Sequence, residues 1–300
     1  VEQCDDQRRI LELVALGKPL RETLETIAHF VERHEPASRC AILLISSDRH
    51  QIASCVAPSF PAAFADALSV TGLPDLGSCG AAVDRCESIV VSDVANDHRY
   101  SASWRDLLLE FGSRALSSHP ISNGEKAVAC LSIHYSELQP DLPHNMPLIC
   151  AATHLASLAI HRETSKEADE RRSRRASLLS SIAQRLVMHD DPTPDLEPAF
   201  NAVCAEIGAD LYFNYAVDEA DPEKLILQFC QGLTEAQKAQ FSEFRFGEYV
   251  CGQVAATRQA IILGDLEKDT SERTRGVREL GGRCYAGAPL IAGGRLHGVV

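Results

Sequence analysis

The stretch CGAAVDRCESIVVSD, Cys79–Asp93, decides how this chain is organised, because it occurs twice. Its second copy is CGQVAATRQAIILGD, Cys251–Asp265, reached by an offset of 172 positions without a gap. In both, a Cys-Gly pair opens a short helical pattern, three β-type residues follow, and an Asp comes soon after. Farther on, FGSRALSSHPISNGEKAVACL (Phe111–Leu131) aligns with LGGRCYAGAPLIAGGRLHGVV (Leu280–Val300) at an offset of 169. The difference between the offsets falls in a polar segment that reads as a loop. A period this long exceeds the ~20–50 residues of a solenoid unit, so the chain reads as two copies of one fold.

Composition agrees. Three hundred residues with 45% hydrophobic and 24% charged content suit two soluble domains with a core each. A formal charge of -13 argues against nucleic acid or an anionic membrane as the partner and leaves small molecules or proteins. The eleven cysteines are odd in number and never form CxxC or CxxxC, which suits a reducing cytoplasm. No apolar run approaches the ~20 residues of a membrane span, and VEQCDDQRRI lacks the features of a signal peptide. The chain begins at Val, so a longer natural protein is expected.

Periodicity supplies the elements of the first copy. Apolar residues at three- and four-residue spacings over Arg8–His34 predict helix, broken near Gly17-Lys18-Pro19. ASRCAILLISSD and HQIASCVA predict two strands with a turn near Ser47–Arg49, and PAAFADALSV a short helix. The Cys79 stretch predicts helix then strand, and SASWRDLLLEFG another helix. RALSSHPIS and KAVACLSIHY predict a hairpin around Asn123-Gly124, closed by an amphipathic helix over Met146–Glu163. This order gives an α+β fold, an antiparallel sheet with helices packed around it.

The combination of GSCGAAVDRCESIVVSDV, a helix running into FGSRALSSHPI, the NG hairpin and CLSIHY before a helix resembles a GAF domain over nearly all of residues 8–163. The second copy resembles the same family from about Arg175, with DLYFNYAVDE as first strand and FGEYVCGQVAATRQ as middle helix. The expected layout is a first GAF-like domain at 1–163, a helical linker at 164–174 and a second, incomplete domain at 175–300. Because Val300 matches Leu131, the last strand's remainder and the closing helix are expected beyond it. The resemblance implies a non-catalytic sensory module that binds a small molecule or dimerises ahead of an output domain beyond residue 300. A histidine kinase is the leading output, and a cyclic di-GMP synthase or phosphodiesterase the alternative. A thiol-dependent enzyme such as free methionine sulfoxide reductase, and a structural dimeriser without ligand, are the rivals.

No GxSxG, HExxH, P-loop or GxGxxG occurs, so no catalytic residues are assigned. By the resemblance, a pocket is expected between the sheet and the helices carrying Cys79–Val83 and Trp104–Phe111. Candidate lining residues are Cys79, Trp104, Arg114 and His119, with Tyr249, Cys251, Arg283 and Tyr285 in the second copy. Trp104 is a pocket wall or ordinary packing, and His119 at a strand end reads more readily as a satisfied core group. Cys79 at a helix start feels the positive end of the backbone dipole and is a candidate redox thiol. Against this, Cys-Gly-Ala-Ala fits a tightly packed helix start, and packing is the stronger reading for both cysteines. Cys79 and Cys86 lie two helical turns, ~10 Å, apart and cannot bridge within an intact helix. No metal site is assigned. The cofactor is unknown: haem on His144, His154 or His161 is disfavoured, and so is bilin, because Gly80 and Gly252 follow the cysteines where that chromophore class has His or Leu. The Asn-Lys-Phe-Asp-Glu signature of cyclic-nucleotide binders is not recognisable, which leaves the ligand open.

Ala151–Val187 contains no Gly or Pro and reads as one helix with a polar middle and apolar ends. Glu-before-Arg pairs at Glu167/Arg171 and Glu170/Arg174 add a few tenths of a kcal/mol each. Leu155, Leu158, Leu179, Ile182 and Leu186 approximate a seam, so a parallel homodimer through this helix is expected.

Overall fold

The computed structural model describes residues 2–46, 51–69, 72–124, 126–139, 145–188 and 193–300. The turn expected near Ser47–Arg49, His144 and the Leu186 side chain lie outside what is described. The chain divides into two compact units, Val1–Glu170 and Arg171–Val300.

In the first unit, α1 (Glu2–Leu16) and α2 (Leu20–His34) are separated where expected. Gly17 ends α1 at φ +71°, its N–H bonding the Val14 carbonyl while the Lys18 N–H bonds that of Leu13. That pair of bonds is a Schellman stop, which favours glycine because L-residues resist positive φ. Then follow β1 (Ser38–Ile45), β2 (Ile52–Val56), α3 (Ala62–Ser69), α4 (Ser78–Arg85), β3 (Ile89–Val91), α5 (Ala102–Glu110), β4 (Ala115–Asn123), β5 (Lys126–Tyr135) and α6 (Met146–Met188). The strands form an antiparallel sheet in the order β2-β1-β5-β4-β3, with Asn123 opposite Lys126 at the hairpin.

The period-2 alternation of strands sorts β5 between two cores. Ala129, Leu131, Ile133 and Tyr135 join a cluster with Leu24, Ile27 and Val31 of α2 and Leu148, Ala152 and Leu155 of α6. Cys130, with Leu43 of β1 and Leu116 of β4, joins a second cluster containing Phe64, Cys79, Val83, Trp104 and Leu108 of α3, α4 and α5. The sheet is therefore covered on both faces, which is why KAVACLSIHY is buried almost continuously.

The second unit contains α7 (Thr193–Ile207), β6 (Tyr212–Val217), β7 (Lys224–Gln231), α8 (Glu235–Gln240), β8 (Glu243–Arg245), α9 (Tyr249–Thr257), β9 (Ile261–Leu263), α10 (Arg275–Glu279), β10 (Tyr285–Gly287), β11 (Pro289–Ala292) and β12 (Arg295–Val299). Its main sheet runs β11-β12-β6-β7-β8, and β10-β9 form a separate pair. Taken by sequence alignment, β12, β6 and β7 repeat β5, β1 and β2. The counterpart of β4 is divided into β10 and β11, while β8 adds an edge strand. Tyr215, Leu225, Phe244, Val254, Leu296 and Val299 form its core.

One element departs from the expected seam of α6. Leu155 is buried in the first unit's core and is not available to a partner. Leu158 and Leu179 are exposed, and Ile182 is half-buried.

Candidate functional site

The Cys-Gly pair begins a helix in both units. In the first, α4 lies across β4 and β5. Cys79, its second residue, is 9% exposed, and its Sγ lies 3.3 Å from Ser118 Oγ. Ser118 Oγ is 2.9 Å from Ser78 Oγ, which is 2.7 Å from the Tyr100 hydroxyl. From β5, Cys130 belongs to the same buried cluster as Cys79. Beyond it, Ser132 Oγ is 2.9 Å from His134 Nε2, whose Nδ1 is 3.0 Å from Ser113 Oγ. A buried polar strip thus crosses the sheet face under α4, bounded by Phe64, Leu68, Trp104 and Leu108. The cavity here measures about 10 Å³.

The strip sets the protonation of its members. The Cys130 hydrogen bond, followed by those of Ser118, Ser132 and Ser78, brings the Cys79 thiol down to about 7 against the opposing effect of burial. Cys130 moves well upward, because its hydrogen is held by Cys79 and because it is buried. Of the two thiols, Cys79 therefore ionises. Burial raises Cys55 to about 12 and lowers His134 to about 3, so both are neutral at neutral pH.

In the second unit Cys251 is in the first turn of α9, its Sγ 3.2 Å from the Tyr285 hydroxyl. The neighbouring cavity, about 30 Å³, is lined by Phe213, Tyr215, Phe241, Phe244, Tyr249 and Val250. Burial raises Cys251 to about 11, only partly offset by Tyr285. The glycine that follows has a packing reason. A Cβ on Gly252 would lie 2.6 Å from the Arg245 carbonyl oxygen and 3.1 Å from the Gly247 nitrogen, both backbone atoms. Gly252→Ala is expected to destabilise the protein by about 1–3 kcal/mol. Equilibrium urea unfolding checks this, and an unchanged midpoint would contradict the close approach.

Of the expected lining residues, Cys79 and Trp104 meet at the first cavity, and Tyr249, Cys251 and Tyr285 at the second. Three others do not. His119 faces the opposite side of the sheet, with Nδ1 2.8 Å from Ser88 Oγ and Nε2 2.9 Å from Ser117 Oγ. It is offset by one residue from Ser118, and a one-residue step reverses the face. Arg114 and Arg283 are exposed. What these two share is the backbone: the Arg114 carbonyl accepts from the Val94 N–H, and that of Arg283 from the Leu266 N–H. His154 is exposed, and exposed His161 has Nδ1 3.3 Å from Asn123 Nδ2. Among the described residues, no group of three His, Cys, Asp or Glu is placed to hold a metal ion. The sequence reading missed Ser78, Tyr100, Ser118, Cys130, Ser132 and His134. Their signal was the alternation in β5, which sets Cys130, Ser132 and His134 on one face.

Profiles of the GAF domain family match residues 19–160 and 196–300. The chain is a tandem pair of GAF domains. A curated relative, the methyl sulfide methyltransferase-associated sensor of Methanosarcina acetivorans, is 21% identical over 187 residues, 61% of this chain. The match spans 19% of that protein's length. Among solved structures, a bacteriophytochrome of R. palustris is similar over 99% of this chain and 61% of its own, with TM-score 0.57 and 12% identity. The GAF domain of an Acinetobacter phosphoenolpyruvate-protein phosphotransferase covers 56% of this chain and 98% of its own, at TM-score 0.41 and 13% identity. Among the described residues, no helix is long and apolar enough to cross a membrane.

Proposed function

We propose that this tandem GAF region is a non-catalytic sensory module of a cytoplasmic signalling protein, one that couples a small-molecule signal to an output domain, with a histidine kinase as the leading output. The observation that carries the reading is the repeated arrangement of a small cavity beside the helix begun by Cys-Gly. The sensor named as a relative supports it. Cavities of about 10 and 30 Å³ are far below the ~300–1,000 Å³ of a metabolite site. Binding of a metabolite would therefore require α4 and α5, or α9 and α10, to move from the sheet, and that displacement is the signal available for transmission. Native mass spectrometry of the purified chain should show a bound small molecule on at least one domain. A chain that carries none, and that binds none from a metabolite library, would favour a purely structural dimeriser.

The same reading includes a parallel homodimer. Leu158 and Leu179 are three heptads apart in sequence, and both expose apolar surface worth ~1.5–3 kcal/mol per large side chain when buried. Leu179→Asp is expected to convert a dimer into a monomer in sedimentation equilibrium. A wild-type monomer at tens of micromolar would reject the seam.

A further inference from the structure

At the offset of 172 positions, Gly77 corresponds to Tyr249, and both carry a positive φ, +57° and +52°. The backbone at the start of the Cys-Gly helix therefore turns left-handed in each domain, a conformation that suits glycine and strains an L-residue. The second domain holds a tyrosine there in spite of the strain, which points to a role for the side chain. Its ring lies against Gly276 of α10, where an added Cβ would stand 3.1 Å from Tyr249 Cδ1 and 3.2 Å from Phe241 Cε1. Gly287 of β10 likewise makes room for a tyrosine, since a Cβ there would stand 2.2 Å from the Tyr285 hydroxyl. Two tyrosines of one cavity are thus each accommodated by a glycine.

We infer that the cavity of the second domain is an aromatic cage for the quaternary ammonium head of a small cation, with Tyr249 as the side chain that opens it. The inference rests on the sensory reading above, in which this cavity opens for a ligand, and it names the class of that ligand.

Six aromatic residues line the cavity: Phe213, Tyr215, Phe241, Phe244, Tyr249 and Tyr285. The Tyr249 ring is 5.8 Å from Phe241 at 72° and 5.7 Å from Phe244 at 71°, and Phe244 is 4.5 Å from Tyr215 at 58°. Rings at such angles form walls instead of a stack, and a ring face turned to the enclosed space attracts a cation through its quadrupole. The cavity of the first domain is built otherwise, with Leu43, Leu68, Leu76, Leu108 and Leu116 in its wall.

The polar groups of the lining select among charged ligands. No Asp, Glu, Lys or Arg is among them. The Tyr215 hydroxyl donates to the Phe241 carbonyl at 3.0 Å, and the Tyr285 hydroxyl is 3.2 Å from Cys251 Sγ. A carboxylate or phosphate would meet no cation here, and a primary ammonium would leave N–H groups without acceptors. A quaternary ammonium has no N–H to satisfy. The sign of the domain agrees, because residues 193–300 carry 16 Asp and Glu against 10 Lys and Arg, a field that favours cations. At about 30 Å³ the closed cavity holds about one water. Tyr249, 37% exposed, and Phe244 also line an open groove of about 480 Å³ that carries Glu243, Glu248 and Glu272 with Arg273 and Arg275. Rotation of the Tyr249 ring toward this groove joins the two spaces and admits a trimethylammonium head.

Calorimetric titration of the whole chain with choline and with 3,3-dimethylbutanol, in which carbon replaces the nitrogen, separates charge from shape. Choline should bind at least about tenfold more tightly than its neutral isostere. Emission of Trp104, the chain's only tryptophan and a residue of the first domain, should stay unchanged during the choline titration. Tyr249→Leu and Phe244→Leu should each weaken choline at least about fivefold, while Tyr249→Phe, which keeps the ring, should stay within about twofold of wild type. Where the leucine variants fail to fold, the isostere ratio in the wild type decides. Equal affinity for choline and the isostere, choline binding that alters Trp104 emission and survives Tyr249→Leu, or no binding of choline or tetramethylammonium up to millimolar concentration would each overturn the inference. A neutral or anionic metabolite recovered from this cavity would overturn the cation class and leave the sensory reading standing, whereas a chain that binds nothing would end both.

Discussion

Acid is expected to destabilise the first domain before its carboxylates titrate, because His134 is buried neutral. Its ring is sandwiched by hydroxyls, Nε2 2.9 Å from Ser132 Oγ and Nδ1 3.0 Å from Ser113 Oγ, and the rings of Phe60 and Phe64 meet it edge-on at 5.1 and 5.8 Å. Burial first, and then the Arg39 charge, lower it from 6.5 to about 3. Above pH 6.5 the ring is neutral whether the chain is folded or not, so it contributes no pH dependence there. Below 6.5 the unfolded chain takes up a proton that the folded chain refuses, and stability falls by about 1.4 kcal/mol per pH unit until about pH 3. Between pH 6.5 and 4.5 the loss is about 2 kcal/mol. Urea unfolding at pH 7.5, 6.5, 5.5 and 4.5 measures it, and His134→Asn should remove most of the slope over the same range. A wild-type curve as flat as the variant's would show that the ring protonates in place.

The repeat made the two-domain organisation legible, since a Cys-Gly pair, a strand and an Asp recurred at a fixed offset. Local signals also placed the break at Gly17, because Leu-Gly-Lys-Pro combines a helix stop with a residue that cannot continue the helix. The site was less legible, and for a physical reason. Cys79 and Cys251 are the same residue at the same place in a helix, yet one thiol is lowered to about 7 and the other raised to about 11. The difference comes from Ser118, 39 positions away in sequence, and from Cys130 beyond it, brought under α4 by strand pairing. Helix periodicity at Cys79 carries no trace of them. The arginines mislead in the opposite way. Arg114 and Arg283 recur, but the recurring interaction is made by their carbonyls, which any residue supplies. Leu155 was misplaced because amphipathicity alone does not say which apolar stripe of α6 the domain's own sheet consumes.

Trp104→Ala is expected to have the largest effect on the first domain, and to turn a closed cavity into a binding site. Trp104 is the third residue of α5, its backbone N–H 3.3 Å from the Ser101 Oγ that caps the helix. The residue is 7% exposed, and it closes the cavity together with Phe64, Leu68, Tyr100 and Leu108. Removing a buried indole costs about 3–5 kcal/mol, the sum of lost transfer energy and of a void that the neighbours fill only in part. The void is on the order of 150 Å³, comparable with engineered apolar cavities that bind benzene. Its lining differs from such cavities, since Ser78 presents a hydroxyl oxygen that can accept a hydrogen bond. A guest with an N–H on an aromatic body should therefore be preferred: indole above benzene. By mass action, indole at 100 times its dissociation constant would restore about 2.7 kcal/mol. Thermal unfolding with and without indole measures the rescue, alongside wild type, which should not respond. A variant that loses stability but binds neither guest would show that α5 collapses onto the sheet when Trp104 is gone, and that this cavity cannot be held open by a ligand.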